Sequence, residues 1–131
     1  MLTRLGRFLK KLRIDNGEIL KNMSDKFNVT VSYLSAVENG KRAFPSEWRE
    51  IVIREYKLDS EQQTEFETAI LDSIKQITIN TDNINLENKE LTFAFARKIA
   101  YLPTDKLNEI KKILGGDNDW IIWQILFLVI V

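Results

Sequence analysis

Apolar residues recur at helical spacing in five stretches of the first 76 residues. Leu5, Phe8, Leu9 and Leu12 follow the i, i+3, i+4, i+7 pattern of an amphipathic helix over about residues 2–14. Four later stretches repeat this spacing, with the apolar sets Ile19, Leu20, Met23, Phe27; Leu34, Val37; Trp48, Ile51, Val52, Tyr56; and Phe66, Ala69, Ile70, Ile74. The pattern predicts five short helices around one core, the second over about residues 18–27 and the fifth over about 60–76.

Polar residues and glycines mark where these helices begin and end. Asn16-Gly17 and Asn39-Gly40 are typical helix ends, because glycine adopts the left-handed conformation of a C-terminal cap. Asn28 falls between the second and third helices, where a tight turn needs a residue that accepts a positive φ. We expect the third, fourth and fifth helices to be capped at their N-termini by Thr30, Ser46 and Ser60.

The hydrophobic period changes after residue 76. Residues 77–80 and 84–87 alternate between apolar and polar around a polar turn, which fits two short strands or an extended linker. Helical spacing then returns on either side of Pro103, in the sets Leu91, Phe95, Ile99, Leu102 and Leu107, Ile110, Ile113, Leu114, which we expect to face inward. We therefore expect an all-α fold, with a five-helix domain at 1–76 and a linker or hairpin plus a helix pair at 77–116. We expect the helix pair to be a dimerisation region, the alternative being a small subdomain that packs on the first domain.

Residues 117–131 form an apolar tail, in which eleven of the last twelve residues are apolar and none is charged. As a helix those twelve residues would span about 18 Å, too short for a hydrocarbon core of about 30 Å. We therefore do not expect a membrane span. The alternatives are a core or dimer contact, a lipid-facing anchor, part of a longer segment, or an end that selection has not shaped.

The composition removes most catalytic chemistry. The 131 residues include no Cys and no His, which excludes disulfides and thiolate nucleophiles and leaves a zinc ion almost without ligands. No paired-carboxylate, phosphate-loop or nucleophile motif is present, so we expect neither an enzyme nor a cofactor or metal site. The N-terminus lacks the apolar stretch of a signal peptide, which favours a cytoplasmic protein.

The zero net charge conceals an uneven distribution. Residues 1–57 carry twelve basic and seven acidic groups, a net charge of +5, and residues 58–131 carry seven basic and twelve acidic groups, a net charge of −5. Such asymmetry suggests a half that binds a polyanion, and an acidic half that contacts a protein partner or a second copy.

Residues 20–39 have the pattern of a helix-turn-helix unit. Ser24 supplies a small residue where the two helices approach, and Asn28 supplies the turn. Apolar residues for the inner faces are Met23, Phe27, Val29, Leu34 and Val37. A chain reversal with two cations, Gly40-Lys41-Arg42, follows the second helix of the unit.

The runs LGRFLKKLRIDNG and MSDKFNVTVSYLSAVENGKR resemble the phage repressor/Cro (XRE-type) helix-turn-helix family, over about residues 3–72. The run LTFAFARKIAYLPTDKLNEIKKIL is similar, more loosely, to the C-terminal helix pair of some small repressors of that family. The resemblance implies a five-helix lambda-repressor-like domain that binds double-stranded operator DNA as a homodimer and regulates transcription, usually as a repressor.

The resemblance implies that the second helix of the unit enters the major groove with its N-terminal residues on base edges. The expected base-reading residues are Thr30, Val31, Ser32, Ser35 and Ala36. The expected phosphate-binding residues are Lys21, Asn22, Tyr33, Asn39, Lys41 and Arg42, and the basic face extends to Lys10, Lys11 and Arg13. Tyr33 can alternatively pack against the domain.

This chain departs from the family pattern at the start of the second helix. Leu20 stands where the family usually has a glutamine that contacts phosphate, and no standard N-cap precedes it.

Taken together with the resemblance, the sequence predicts a dimeric, sequence-specific DNA-binding regulator of a phage or mobile element. The alternative is an antitoxin or other protein-binding inhibitor that uses the same domain to regulate its own gene.

Overall fold

The computed structural model describes residues 1–115, and every regular element in that range is helical, which confirms the all-α prediction for it. The elements are α1 (Arg4–Asp15), α2 (Leu20–Lys26), α3 (Val31–Glu38), α4 (Trp48–Glu55), α5 (Ser60–Ser73), α6 (Leu86–Lys98), a 3-10 turn (Ile99–Tyr101) and α7 (Thr104–Ile113). The chain divides into two compact units, one from Met1 to Gln76 and one that begins at Ile77.

The core of the first unit is built from the apolar positions that helical spacing identifies. α1 packs against α2, α3 and α5. Phe8 stacks on Phe66 of α5 with ring centroids 5.1 Å apart, and Phe27 stacks on Trp48 of α4 at 4.4 Å. The buried apolar side chains are Leu5, Phe8, Leu9, Leu12, Met23, Phe27, Leu34, Val37, Trp48, Val52, Tyr56, Leu58, Phe66, Ala69 and Ile70. Only Leu58 among them lies outside the predicted sets, whereas Ile19, predicted to face inward, is exposed.

α1 and α3 meet at a backbone contact that leaves no room for a side chain. The carbonyl oxygen of Glu38 accepts hydrogen bonds from the backbone N–H and from the hydroxyl of Thr3, both at 3.0 Å. A Cβ atom on Gly6 would overlap that same oxygen and would lie 2.9 Å from the carbonyl carbon. Gly6 therefore permits the close approach that seats the end of α3 on α1.

Two buried arginine–glutamate pairs join helices of the first unit. Arg13 of α1 binds both carboxylate oxygens of Glu38, at 2.5 and 2.9 Å. Arg49 of α4 pairs with Glu67 of α5. The four side chains are no more than 8% exposed. Their charges are compensated within the domain, as buried ions require.

Two of the predicted N-caps are wrong, and one is confirmed. The Thr30 hydroxyl accepts from the backbone N–H of Tyr33 at 3.1 Å and caps α3 as predicted. Ser46 lies in a turn before α4, and its hydroxyl contacts the Glu47 carboxylate at 3.4 Å instead. Asp59, not Ser60, caps α5: its carboxylate accepts from the N–H of Gln62, whose side chain accepts from the N–H of Asp59. A carboxylate is the stronger acceptor and also suits the helix dipole.

The hairpin alternative for residues 77–87 is wrong. Ile77–Asn80 has no regular structure, which agrees with an extended linker, and no strand occurs between residues 77 and 115. Asn85 caps α6 by accepting from the N–H of Asn88 at 2.8 Å. This cap makes Leu86 the first residue of a helix, so the second alternating run does not continue as a strand.

The second unit exposes residues that the sequence predicts to face inward. No side chain of α6 or α7 is buried. Ile113 is 82% exposed and Leu114 is 56% exposed, while Leu107 and Ile110 are half-buried. The helical spacing is confirmed by α6 and α7, but their apolar side chains are exposed or half-buried rather than buried.

No helix within residues 1–115 has the length and hydropathy needed to cross a membrane. The expectations for the apolar tail, residues 117–131, fall outside the described residues.

Candidate nucleic-acid interface

The turn between α2 and α3 has the geometry that the sequence predicts. Asn28 adopts a φ of 56°, and the N–H of Val29 donates to the carbonyl of Ser24 at 3.0 Å. Ser24 is fully buried, and its hydroxyl donates to the carbonyl of Lys21 at 2.9 Å. A larger side chain at position 24 would separate the two helices. The turn therefore holds α3 against α2 in a defined orientation.

α3 presents one face to the core and one to solvent. Leu34 and Val37 are buried against the domain. The five predicted base-reading residues lie on the other side of α3 or at its start: Thr30, Val31 and Ser32 are exposed, and Ser35 and Ala36 are half-buried. None of the five is buried, and the half-buried Ser35 and Ala36 lie near the middle of the helix.

The loop after α3 holds two cations beside the end of that helix. Gly40 has a φ of 73°, which reverses the chain. The backbone N–H groups of Lys41 and Arg42 then donate back to the carbonyl of Ala36, at 2.8 and 3.3 Å. The side-chain amide of Asn39 donates to the carbonyl of Ser35 at 2.8 Å. Both cations are exposed while their backbone is hydrogen-bonded to α3.

Tyr33 supports Arg42 through a series of aromatic contacts. The Arg42 guanidinium carbon lies 4.8 Å from the centroid of the Tyr33 ring, within cation–π range. That ring meets Trp48 edge-on at 5.7 Å, and Trp48 stacks on Phe27 in the core. Tyr33 is half-buried. Its ring therefore packs against the domain, and the position of its guanidinium neighbour is tied to the core.

The two predicted phosphate-binding residues on α2, Lys21 and Asn22, already have partners within the domain. The Lys21 ammonium is paired with Asp25 one turn along at 2.5 Å, so part of its charge is locally neutralised. The side-chain oxygen of Asn22 accepts from the N–H of Ile19 at 2.8 Å, which leaves its amide N–H groups to donate, and no side chain caps the start of α2. Ile19 is 68% exposed. The start of α2 is thus more apolar than the family pattern implies.

A surface concavity joins the start of α2 to α3. Lys10, Ser35 and Asn39 line it together with the apolar Ile14, Ile19 and Leu20. Arg13, which we expected to extend the basic face, is buried below this surface. Its bidentate pairing with Glu38 removes its charge from the exposed face, and this expectation is wrong. Lys10 and Lys11 are exposed, as expected.

A cluster around Glu18 fixes the segment before α2. Its carboxylate binds the Lys26 ammonium at 2.5 Å and the Tyr56 hydroxyl at 2.7 Å, and Lys26 also lies 4.3 Å from the centroid of the Tyr56 ring. Burial acts to raise the pKa of Glu18, but hydrogen bonds from Lys26 and Tyr56 outweigh it and leave that pKa below its ordinary value. Burial and the hydrogen bond to Glu18 raise the pKa of Tyr56 well above its usual range. The sequence did not indicate this cluster, because Glu18 and Tyr56 are 38 positions apart.

The charge of the first unit is nearly balanced. Residues 1–76 carry 13 Lys and Arg and 12 Asp and Glu, a net charge of +1 rather than the +5 of residues 1–57. The difference comes from Lys75 and five acids that α5 and its flanks add, Asp59, Glu61, Glu65, Glu67 and Asp72. Attraction for a polyanion must therefore come from the local arrangement of cations beside α3.

No group of three or more metal-binding side chains occurs in the described part of the chain. Comparison of the chain with protein-family models, with curated proteins and with solved structures finds no match.

Proposed function

We propose that this chain is a sequence-specific DNA-binding transcriptional regulator of the phage repressor/Cro (XRE) type, with a lambda-repressor-like first unit that acts as a homodimer on double-stranded DNA. The observation that carries the proposal is the outward face of α3. Its small polar and methyl-bearing side chains adjoin the exposed cations Lys41 and Arg42, whose backbone is bonded to the last turn of the helix. This combination suits a helix placed in a major groove and flanked by phosphates.

Base readout is assigned to the exposed start of α3. The hydroxyl of Ser32 can donate or accept, and the methyl groups of Val31 and Ala36 suit the methyl of thymine. Thr30 already accepts the N–H of Tyr33, so its hydroxyl proton remains for a base or phosphate acceptor. No Arg, Gln or Asn stands among the five base-reading residues, so the strongest bidentate pairs are missing. DNA shape then carries a larger part of the specificity.

Phosphate binding is assigned chiefly to Lys41, Arg42 and Asn39, with Lys10 on the adjoining concavity. Asn22 and Lys21 contribute from α2, Lys21 after giving up its pairing with Asp25. Tyr33 contributes indirectly, because its ring orients the guanidinium of Arg42. Because these contacts neutralise phosphates without reading bases, they fix register and make binding depend on salt.

The test separates the two kinds of contact. DNA is first selected from a random duplex pool with the wild-type protein, and affinities are then measured at several salt concentrations. Arg42→Ala is expected to weaken binding to all duplexes alike and to reduce the salt slope by about one, whereas Ser32→Ala changes which duplexes are preferred. Arg54→Ala, which removes an exposed arginine from α4, is the matched control and leaves the slope unchanged.

Two results would contradict the proposal. One is a pool from which no duplex is enriched and to which binding does not depend on salt. The other is a loss of affinity that is the same for Arg54→Ala as for Arg42→Ala. A palindromic pair of half-sites about 34 Å apart would support the dimer.

The second candidate function is that of an antitoxin or other protein-binding inhibitor. It is favoured by the exposed apolar residues Ile14 and Ile19, with the half-buried Leu20, beside the α3 surface, since apolar clusters of this kind occur at protein interfaces. The regulator proposal requires Ile19→Ser to keep its DNA affinity. If Ile19→Ser keeps its DNA binding but loses affinity for the protein encoded by a neighbouring gene, the inhibitor function is favoured.

A further inference from the structure

α6 carries large apolar side chains on two roughly opposite sides. Successive residues of a helix are about 100° apart, which places Leu91 and Phe95 on one side and Leu86 and Phe93 on the other. A helix that is apolar on two sides needs a neighbour on each. No side chain of α6 is buried, and large apolar residues are exposed on both of its sides.

We name the side that follows Leu86 the outer face of α6. Its members recur at i, i+4, i+7 and i+11, and are Leu86, Glu90, Phe93 and Arg97. The two apolar members are 72% and 66% exposed, in that order, and Tyr101 in the 3-10 turn that follows α6 is 86% exposed. On the opposite side the exposed fractions are 69% at Leu91, 42% at Phe95 and 38% at Ile99. The outer face therefore presents two widely exposed, aligned apolar side chains, which is typical of a contact surface.

The two charges of the outer face determine what can cover it. Glu90 lies on the N-terminal side of Phe93, and Arg97 lies on the C-terminal side with its guanidinium 5.9 Å from the Phe93 ring centroid. The face thus has an acidic group and a basic group on either side of a central aromatic residue. Such a face is complementary to itself when two copies run antiparallel.

We propose that the outer face of α6 binds the outer face of a second copy of this chain in antiparallel orientation. With the two-fold axis beside Phe93 and Ala94, Glu90 of each copy lies opposite Arg97 of the other. A parallel pair would place Glu90 against Glu90 and Arg97 against Arg97, which like-charge repulsion opposes. The proposal names the interface of the dimer in the proposed function.

The first experiment reverses the charges in the full chain and measures the dimer dissociation constant by sedimentation equilibrium. Glu90→Arg and Arg97→Glu each put like charges opposite one another twice per dimer, and each is expected to weaken dimerisation about tenfold or more. The double variant Glu90→Arg/Arg97→Glu restores both attractive pairs and most of the affinity. Lys98→Glu is the matched control, because it reverses an adjacent charge on a different side of α6 and keeps dimerisation within about twofold.

Three results would overturn the proposal. The first is a wild-type chain that stays monomeric throughout the concentration series. The second is single reversals that dimerise as tightly as the wild type, and the third is a double variant that dimerises no more tightly than the single ones. Coverage of the outer face by the apolar tail or by a different protein would produce the first result.

A second experiment tests the orientation and uses the absence of cysteine from the chain. In an antiparallel pair, Glu90→Cys and Arg97→Cys face each other, so a mixture of the two variants forms a disulfide-linked heterodimer under mild oxidation. Each variant alone remains largely unlinked. Efficient linking of each variant with itself, and none between them, would show a parallel pair and overturn the proposal.

The same variants separate this inference from the proposed function. If the wild type dimerises through α6 but binds no duplex DNA, the proposed function fails and the interface stands. If Glu90→Arg is monomeric and loses only the cooperative occupation of two half-sites, both hold. If DNA binding is intact and the dimer is unaffected by the outer face, only this inference fails.

Discussion

Gly6 and Glu38 lie 32 positions apart, and their contact determines how closely α1 approaches the end of α3. The carbonyl oxygen of Glu38 accepts two hydrogen bonds from Thr3 and occupies the space that a side chain at position 6 would need. Because Lys41 and Arg42 follow Glu38 by three and four residues, this contact also places the cations of the candidate interface.

Gly6→Ala is expected to destabilise the first unit by about 1–3 kcal/mol, although alanine is the better helix former by about 1 kcal/mol. The new Cβ meets backbone rather than a flexible side chain, so α1 and α3 must separate to accept it. Urea unfolding followed by circular dichroism measures the change.

Gly17→Ala is the comparison for this prediction. Gly17 has no atom within 4 Å of a new Cβ but adopts a φ of +64°, so only the backbone conformation is strained, at about 1–2 kcal/mol. Unchanged or increased stability of Gly6→Ala would contradict the close contact.

Among the helices, the pair formed by Arg13 and Glu38 joins α1 to the end of α3. Glu38→Ala is expected to cost about 3–5 kcal/mol of unfolding free energy, because it leaves a buried guanidinium without its counter-charge. The double variant Arg13→Met/Glu38→Leu recovers most of that loss, since two apolar side chains need no partner. Urea unfolding of the three proteins compares them.

Asp25→Ala is the matched control for that measurement. It removes the acid of an exposed pair with Lys21, both side chains being more than half exposed, and costs at most about 0.5 kcal/mol. Equal losses for Glu38→Ala and Asp25→Ala would show that the Arg13–Glu38 pair adds no more than a surface pair.

The Glu18 cluster links the segment before α2 to α4 and makes stability depend on pH. Since the pKa of Glu18 is lowered in the folded state, its carboxylate stabilises the fold above the ordinary value of 4.5, and that contribution is lost as the pH falls through the lowered pKa. We expect the stability advantage of the wild type over Glu18→Gln to be full at about pH 6 and to decline in acid below 4.5, as the pH falls through the lowered pKa of Glu18.

Urea unfolding at a series of pH values provides the measurement. Glu65→Gln, a change at an exposed carboxyl on α5, is measured at the same pH values as the control. A constant difference between wild type and Glu18→Gln across the acid range would contradict the role of the ionised carboxylate.

At the scale of the whole molecule, burial among residues 1–115 is confined to one of the two units. Every buried residue of the described chain lies between Leu5 and Ile70. A fragment that ends at Gln76 is therefore expected to unfold cooperatively, with a thermal midpoint within a few degrees of the full chain. Differential scanning calorimetry of both proteins tests this, and a fragment without a cooperative transition would contradict it.

Contacts within a few positions explain what the sequence predicted correctly. The five helices of the first unit, the positive φ of Asn28 and the Thr30 cap follow from apolar spacing, chirality and a hydroxyl three residues before an N–H. Where two local rules competed, the prediction failed: Asp59 displaced Ser60 as a cap, and the Asn85 cap turned an alternating run into the start of α6.

The features of the candidate site likewise fall into those that local sequence patterns predict and those that depend on distant residues. The exposed face of α3 was predictable, because helical spacing separates its five outer residues from Leu34 and Val37. The burial of Arg13 was not, because a charged residue on a predicted amphipathic helix gives no sign of a partner 25 positions away. The weak net charge of the first unit also follows from the sequence, because the predicted domain at 1–76 already includes the acids of α5, which a division of the charges at residue 57 leaves out.

The sequence by itself determined the helices of this protein, most of their ends and the apolar positions of the first core, because each depends on residues within about one turn of the chain. The tertiary structure decided which charges are buried in pairs, how closely α1 meets α3, and which apolar faces of the second unit remain exposed. Those features depend on residues that are distant along the chain, and only packing brings such residues together.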